Sequence, residues 1–329
     1  MSWSRKAAHF VLMKRLWFKS LLVLFVLIFS LNTPVFADMQ VKRCLNLGNA
    51  LDAPFEGAWG PSITEYDLEW IAGAGFDTVR LPVRFGGHWN GMIWPGFLAR
   101  VEQVIGWAYD NDLKVILDLH HFDELMADPE TYGPVFIAIW TELSERFASH
   151  DDRLIFELLN EPHGAVTTNR AVALYQDVLP IIRAKHPERW IILGGGNMNS
   201  LDEMLTLPDF GPRIALTFHY YDPIHFTHQQ SEWTQRYYPA TEWGLEFEKA
   251  RVRADIARAG QADRPIFLGE FGVVRDADSL SRNAWIETVR RAAEEHDISW
   301  CYWAYAAGFD LRDFGGYEWY PGLFSALME

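Results

Sequence analysis

At 329 residues the chain is long enough for one large α/β barrel or two smaller domains. Its composition, 49% hydrophobic and 22% charged, calls for a packed core and excludes disorder. The formal net charge is −15; without residues 1–37, which hold five of the 29 basic residues and no acidic one, 24 basic residues face 44 acidic ones and the charge is −20. So acidic a surface repels phosphate backbones and argues against a nucleic-acid partner.

Residues 1–37 stand apart. Arg5, Lys6, Lys14, Arg15 and Lys19 precede the apolar run Leu21 to Leu31, and Val35 and Ala37 are the small residues a signal peptidase accepts. The run is shorter than the roughly 20 residues of a membrane span and is followed by Asn32 and Pro34. A cleaved signal peptide is expected, with Met1 or Met13 as initiator, then a single domain over 38–329. The mature chain is expected to be a secreted or periplasmic monomer with no membrane attachment; an uncleaved leader would anchor it.

From residue 41 onward strand-like and helix-like segments alternate. VKRCLNL (41–47) is the first strand, and Ser62 caps a helix to about Gly73. FDTVRLPV (76–83) is the second strand, followed by a loop with His88, Trp89 and Trp94 and a helix carrying Val101, Val104, Ile105 and Ala108. LKVILDLHH is the third strand. The next helix carries Phe136, Ile137, Trp140, Leu143 and Phe147. LIFELLNEPHG (154–164) opens with the fourth strand, a helix spans 171–185, and WIILGG (190–195) is the fifth strand. A helical segment at 201–205, the sixth strand RIALTFHYY, a loop at 222–240 and a helix from Glu242 to Ala259 come next. PIFLGE is the seventh strand, Ser281 to Glu295 a helix, ISWCYWAY (298–305) the eighth strand, and Leu323 to Met328 a closing helix.

Short apolar runs without helical period are strands buried on both faces. Eight strand–helix units in about 290 residues is the arithmetic of a (β/α)8 TIM barrel, whose site lies at the carboxyl ends of the strands. The first and eighth strands are then neighbours, so Cys44 and Cys301 are either two buried thiols or a disulfide. Their spacing suggests no metal site.

The strand ends carry Asn49, Arg80, His120, His121, Asn160, Glu161, His219, Tyr221, Glu270 and Trp303; only the fifth strand offers nothing. Glu161 and Glu270 each close a buried run. A carboxylate there must pair or do chemistry, because an unpaired buried charge costs several kcal/mol. Two such carboxylates are what glycosidic bond cleavage requires. Zinc held by His120, His121, His219, Glu161 and Glu270 is the rival reading. Such barrels usually begin with His-x-His, and the first strand here ends in Leu47-Gly48-Asn49. A glycan-binding protein without catalysis is the other rival, and the intact glutamate pair argues against it.

The segments Leu158 to Pro162, Phe267 to Gly272, Thr78 to Pro82, His219 to Tyr221 and Tyr302-Trp303 together resemble glycoside hydrolase family 5, the cellulase-type barrels, over essentially the whole mature chain. DLHHFDELMADP (118–129) and FTHQQSEW (226–233) are especially similar to bacterial endoglucanases that also accept mannan. The resemblance implies a retaining endo-β-1,4-glucanase without metal or organic cofactor, acting on a β-glucan, with β-mannanase or mixed-linkage glucanase as alternatives. It implies that Glu161 is the acid/base and Glu270 the nucleophile, held ionised by Arg80 and oriented by Tyr221, with His219 beside Glu161. By the same likeness Asn160 meets the sugar 2-hydroxyl, and His120 is the third-strand histidine, with His121 as a second sugar contact. Trp303, followed by a cis peptide, stacks beneath the sugar, and Trp233 belongs to a further subsite. Close relatives often carry a polar or acidic residue after that tryptophan; this chain has Ala304.

Overall fold

Eight apolar runs become eight parallel strands in a computed structural model that describes residues 39–234, 236–313 and 318–329. The expected leader, residues 1–37, lies outside them. The strands are β1 Arg43–Asn46, β2 Thr78–Val83, β3 Lys114–Leu119, β4 Leu154–Glu157, β5 Ile191–Gly194, β6 Ile214–Tyr220, β7 Ile266–Phe271 and β8 Ser299–Tyr302. Each pairs with its successor, and β8 pairs with β1 to close the ring, so the expected (β/α)8 barrel is the observed fold. Cys44 stands opposite Cys301 in that closing pair, and the two form a disulfide; the sequence left this open.

The main helices between strands are α1 Glu65–Gly73, α2 Pro95–Asp110, α3 Asp123–Ala127, α4 Pro129–Arg146, α5 Thr168–Lys185, α6 Leu201–Met204, α7 Ile224–Thr227, α8 Glu246–Ala259, α9 Ser279–Glu295 and α10 Pro321–Met328. Five begin elsewhere than the sequence suggests; α9 and α10 each start two residues earlier, at Ser279 and Pro321. α1 is capped by Thr64 rather than Ser62, because Asp67 Oδ2 accepts from both the backbone N–H and the hydroxyl of Thr64, at 2.8 and 2.7 Å. α5 starts at Thr168 under a Thr167 cap. α8 starts only at Glu246, where Glu248 accepts from the N–H groups of Gly244 and Leu245. A two-stranded ribbon, β9 Arg312–Asp313 with β10 Glu318–Trp319, was not anticipated.

The core has two parts. Apolar faces of the helices pack on the outside of the strands, with Trp140, Trp285 and Phe136 fully buried there. A smaller cluster of Met39, Val41, Cys44, Ile116, Ile155, Trp190, Ile192, Ala215, Phe267 and Cys301 fills the barrel floor. Side chains alternate across a strand. Two residues beyond Cys44, Ile116, Ile155 and Ala215 in the floor come Asn46, Asp118, Glu157 and Thr217, all fully buried. The barrel thus changes from apolar to polar on the way to its carboxyl end.

Candidate active site

Arg80 of β2 is the centre of that polar layer. Its side chain is fully buried and every nitrogen is engaged. Nε and Nη2 donate to the two carboxylate oxygens of Glu157 at 2.7 and 2.9 Å. Nη1 donates to Asn46 Oδ1 at 2.9 Å and Glu270 Oε1 at 2.8 Å; Nη2 also reaches Asn160 Oδ1 at 2.8 Å and Asp118 Oδ2 at 3.0 Å. Burial alone would weaken the guanidinium, but Asp118, Glu157 and Glu270 hold its pKa well above the usual value. Charge-assisted forks of this kind are the strong form of hydrogen bond.

Two histidines hang from this hub in matching arrangements. His120 Nδ1 meets Asp118 Oδ2 at 2.5 Å, and its Nε2 meets Asn160 Nδ2 at 3.3 Å. His219 Nδ1 meets Glu161 Oε1 at 2.8 Å and Glu270 Oε2 at 3.5 Å, and its Nε2 meets Asn199 Nδ2 at 3.4 Å. Burial pushes His219 down to about 4 and His120 well below the ordinary imidazole range, so both rings are neutral at neutral pH.

Glu161 follows β4 with φ of 44°, a left-handed backbone that is strained for a side chain of this size and typical of functional positions. Glu270 ends the apolar run of β7 and also accepts from Tyr221 Oη at 2.9 Å. Burial raises both carboxyls to about 7. The two share one site and titrate as a pair. Glu270 accepts from Arg80 and Tyr221, whereas the described contact of Glu161 is the neutral His219. Glu270 therefore has the more donors to support a negative charge.

Trp303 stacks on His120, with ring centroids 5.8 Å apart and planes 7° from parallel, and its peptide bond to Ala304 is cis. Gly48 leaves room for the indole: a Cβ there would stand 2.5 Å from Cη2. His121 packs edge-on against His120 and Trp59, with Asp52 Oδ2 3.8 Å from its Nε2. Trp233 is 66% exposed and reaches the site through His228, which packs on Tyr221. Asn49 is half-buried with φ of 63°, and the first-strand amide that touches the cluster is Asn46.

Asn46, Asp118, Glu157 and Asn199 were not singled out as site residues. Strand alternation would have found Asp118, two residues before His120 on one face. Asn199 carries no such signal; it arrives on a left-handed turn after β5.

Two donor sets lie close enough to share a cation: Glu161, His219 and Glu270, and Asp52, His120 and His121, each with atoms within 4.8 Å of one another. In the first set the guanidinium in contact with Glu270 opposes a dication, and the carboxylate oxygens already accept hydrogen bonds from Arg80, Tyr221 and His219.

A sequence model of the family described as cellulase (glycosyl hydrolase family 5) matches residues 46–308. Endoglucanase H of Acetivibrio thermocellus is 35% identical over 268 residues, which is 78% of this chain and 29% of that protein. The chain thus spans less than a third of that relative's length. A hyperthermophilic endo-β-1,4-glucanase solved with its substrate superposes with a TM-score of 0.85 at 37% identity, covering 88% of this chain and 96% of that one. Thermotoga maritima Cel5A in complex with mannotriose superposes equally well, TM-score 0.85, at 33% identity over 88% and 98% of the two chains.

Proposed function

The chain belongs to glycosyl hydrolase family 5 and is a glycoside hydrolase, and on that premise we propose that it cleaves internal β-1,4 links of glucan with retention of configuration. The likeness to endoglucanases supports the linkage, and one observation carries the retention: a carboxylate oxygen of Glu161 and one of Glu270 lie within 4.8 Å of each other. Retaining enzymes hold their two carboxyls about 5–5.5 Å apart, whereas inverting enzymes need about 6.5–9.5 Å to admit a water.

Glu270, ionised under Arg80 and Tyr221, attacks the anomeric carbon. Glu161 gives its proton to the departing glycosidic oxygen as that bond breaks. The leaving sugar diffuses away, and Glu161, now a carboxylate, takes a proton from a water that attacks the same carbon and frees Glu270. Asn160, oriented by Arg80, offers its amide to the sugar 2-hydroxyl, and the Trp303 face stacks on the apolar face of the pyranose. Arg80 serves throughout as the fixed positive charge around which the carboxylates are arranged.

A mannan substrate is the second reading, favoured by the close superposition on a protein solved with mannotriose. The basic and apolar pattern of residues 1–37 supports export from the cytoplasm, and a disulfide fits an oxidising compartment. The test is reducing-end release by residues 38–329 from carboxymethyl cellulose, mixed-linkage glucan and galactomannan, with Glu270→Gln as blank. Release from carboxymethyl cellulose that vanishes in the variant supports the reading; equal release by the variant overturns it. Azide should restore Glu270→Ala with a product of inverted configuration; the same inverted product from Glu161→Ala instead would exchange the two roles.

A further inference from the structure

Asn199 is fully buried beside the site, yet no part of the reaction just described uses it. Its position is elaborately prepared. Asn197, Met198 and Asn199 have φ of 50°, 58° and 54°, three successive left-handed residues, where such backbone ordinarily comes one residue at a time. Gly194 is side-chain-free where the amide lies: a Cβ there would stand 1.9 Å from Asn199 Oδ1. Gly196 is likewise packed on Thr168, whose hydroxyl accepts from its N–H at 2.9 Å. Ser200 then caps the short helix that follows. The result of these arrangements is that Asn199 Nδ2 faces His219 Nε2 at 3.4 Å.

An amide N–H can only donate, so the ring nitrogen facing it must be the acceptor. A neutral imidazole carries one proton, which is then on Nδ1, the nitrogen that faces Glu161 and Glu270. The neighbouring histidine repeats the pattern: Asn160 Nδ2 faces His120 Nε2, and a carboxylate faces Nδ1. Two amide–imidazole–carboxylate lines, on different strands, fix ring protons the same way.

We propose that Asn199 is a positioning residue that locks His219 with its proton on Nδ1, so that Glu161 always meets a donor there. This rests on the reading of Glu161 as the acid/base. The carboxylate left after Glu161 gives up its proton is the form that accepts from Nδ1–H, so the lock favours proton delivery to the leaving oxygen. A ring with the proton on Nε2 would present a lone pair to that carboxylate and hold the proton back.

The experiment follows the ring nitrogens of His219 by long-range 1H–15N NMR in 15N-histidine-labelled protein, assigned with a His219→Gln sample. Wild type should show a protonated Nδ1 and a bare Nε2. Asn199→Asp has the same shape with an acceptor in place of the donor, and should protonate Nε2. Asn199→Gly keeps a residue at ease in the left-handed backbone, removes the amide, and should show a mixture. His120, held by Asn160 and Asp118, is the internal control and should not change. In turnover of a chromogenic cellobioside, kcat of Asn199→Asp should fall at least about ten-fold with KM little changed. The limb of its pH profile that reports Glu161 should move by about half a unit or more. The other titratable and charged groups facing His219 are Glu270, Glu157, Arg80 and His120, unchanged in these variants. A bare Nε2 in both variants, or pH profiles that overlay wild type, would overturn the proposal. The NMR readout needs no turnover, so an inactive wild type whose ring still switches would remove the glycosidase reading and leave the tautomer lock.

Discussion

Arg80 and Glu157 meet through two parallel hydrogen bonds, 2.7 and 2.9 Å, both partners fully buried, and this fork sets the direction in which Arg80 points its remaining nitrogen at Glu270. Arg80→Lys keeps the charge but not the planar fork. Activity should fall about a hundred-fold or more. Arg80→Met leaves Asp118, Glu157 and Glu270 without their cation, and should also cost about 3–5 kcal/mol of stability. Urea denaturation of the two variants separates these effects; equal stability of Arg80→Met and wild type would remove Arg80 from the structural role.

The raised carboxyls make a prediction with a definite sign. A carboxyl of ordinary pKa 4.5 unfolded and about 7 folded binds more protons in the native state. Stability therefore falls as pH rises through that window. Glu161→Gln, which cannot ionise, should be more stable than wild type at pH 7.5 by on the order of 1–2 kcal/mol, with the gain disappearing near pH 4. Melting curves across pH measure this directly, and a gain independent of pH would refute it.

Turnover should follow a bell-shaped pH curve. Its acid limb is protonation of the pair's first carboxylate, on Glu270, and its alkaline limb is loss of the proton from Glu161. Burial has raised both to about 7, so the maximum should lie near neutral pH, and Tyr221→Phe, which removes a donor to Glu270, should move the acid limb upward. An acid limb that stays in place would show that the phenol does not support the nucleophile.

Gly48→Ala places a methyl group in the space of the Trp303 ring. The indole must tilt away from the sugar face, so KM for a soluble glucan should rise several-fold. Trp303→Ala should give a larger effect in the same direction, and a Gly48→Ala variant indistinguishable from wild type would mean that the ring has room the structure does not suggest.

Breaking the bond between Cys44 and Cys301, which closes 257 residues of chain, should lower stability by about 2–5 kcal/mol. The double alanine variant should turn over normally below its melting temperature, because the bond lies in the apolar floor, one layer below Arg80. Equal urea midpoints for the variant and wild type would contradict this.

Much of this architecture was legible because parallel strands buried on both faces read as short apolar runs, and the carboxylates that end two of them break the pattern abruptly. Glu161 and Glu270 were therefore visible as candidate site residues before any fold was known. Asp118 and Glu157 were harder, since each sits inside a run and only strict alternation along β3 and β4 points it inward. Asn46 was passed over for Asn49 because the apolar pattern runs on to Leu47, with Gly48-Asn49 just beyond it, whereas the strand itself ends at Asn46. Asn199 had no signal at all. Its reach depends on three left-handed residues and a missing side chain at Gly194, and neither hydrophobic period nor turn composition encodes that.

The link between β1 and β8 also changes what a cut in the chain would mean. From Cys44 to Cys301 the polypeptide is a covalent loop, so a protease that nicks any helix-to-strand connection within it leaves two chains joined through the disulfide instead of two free fragments. The barrel's own seam is sealed by the same bond, and a nicked protein would still hold all eight strands in one covalently linked molecule. That is resistance to dismemberment rather than to cleavage.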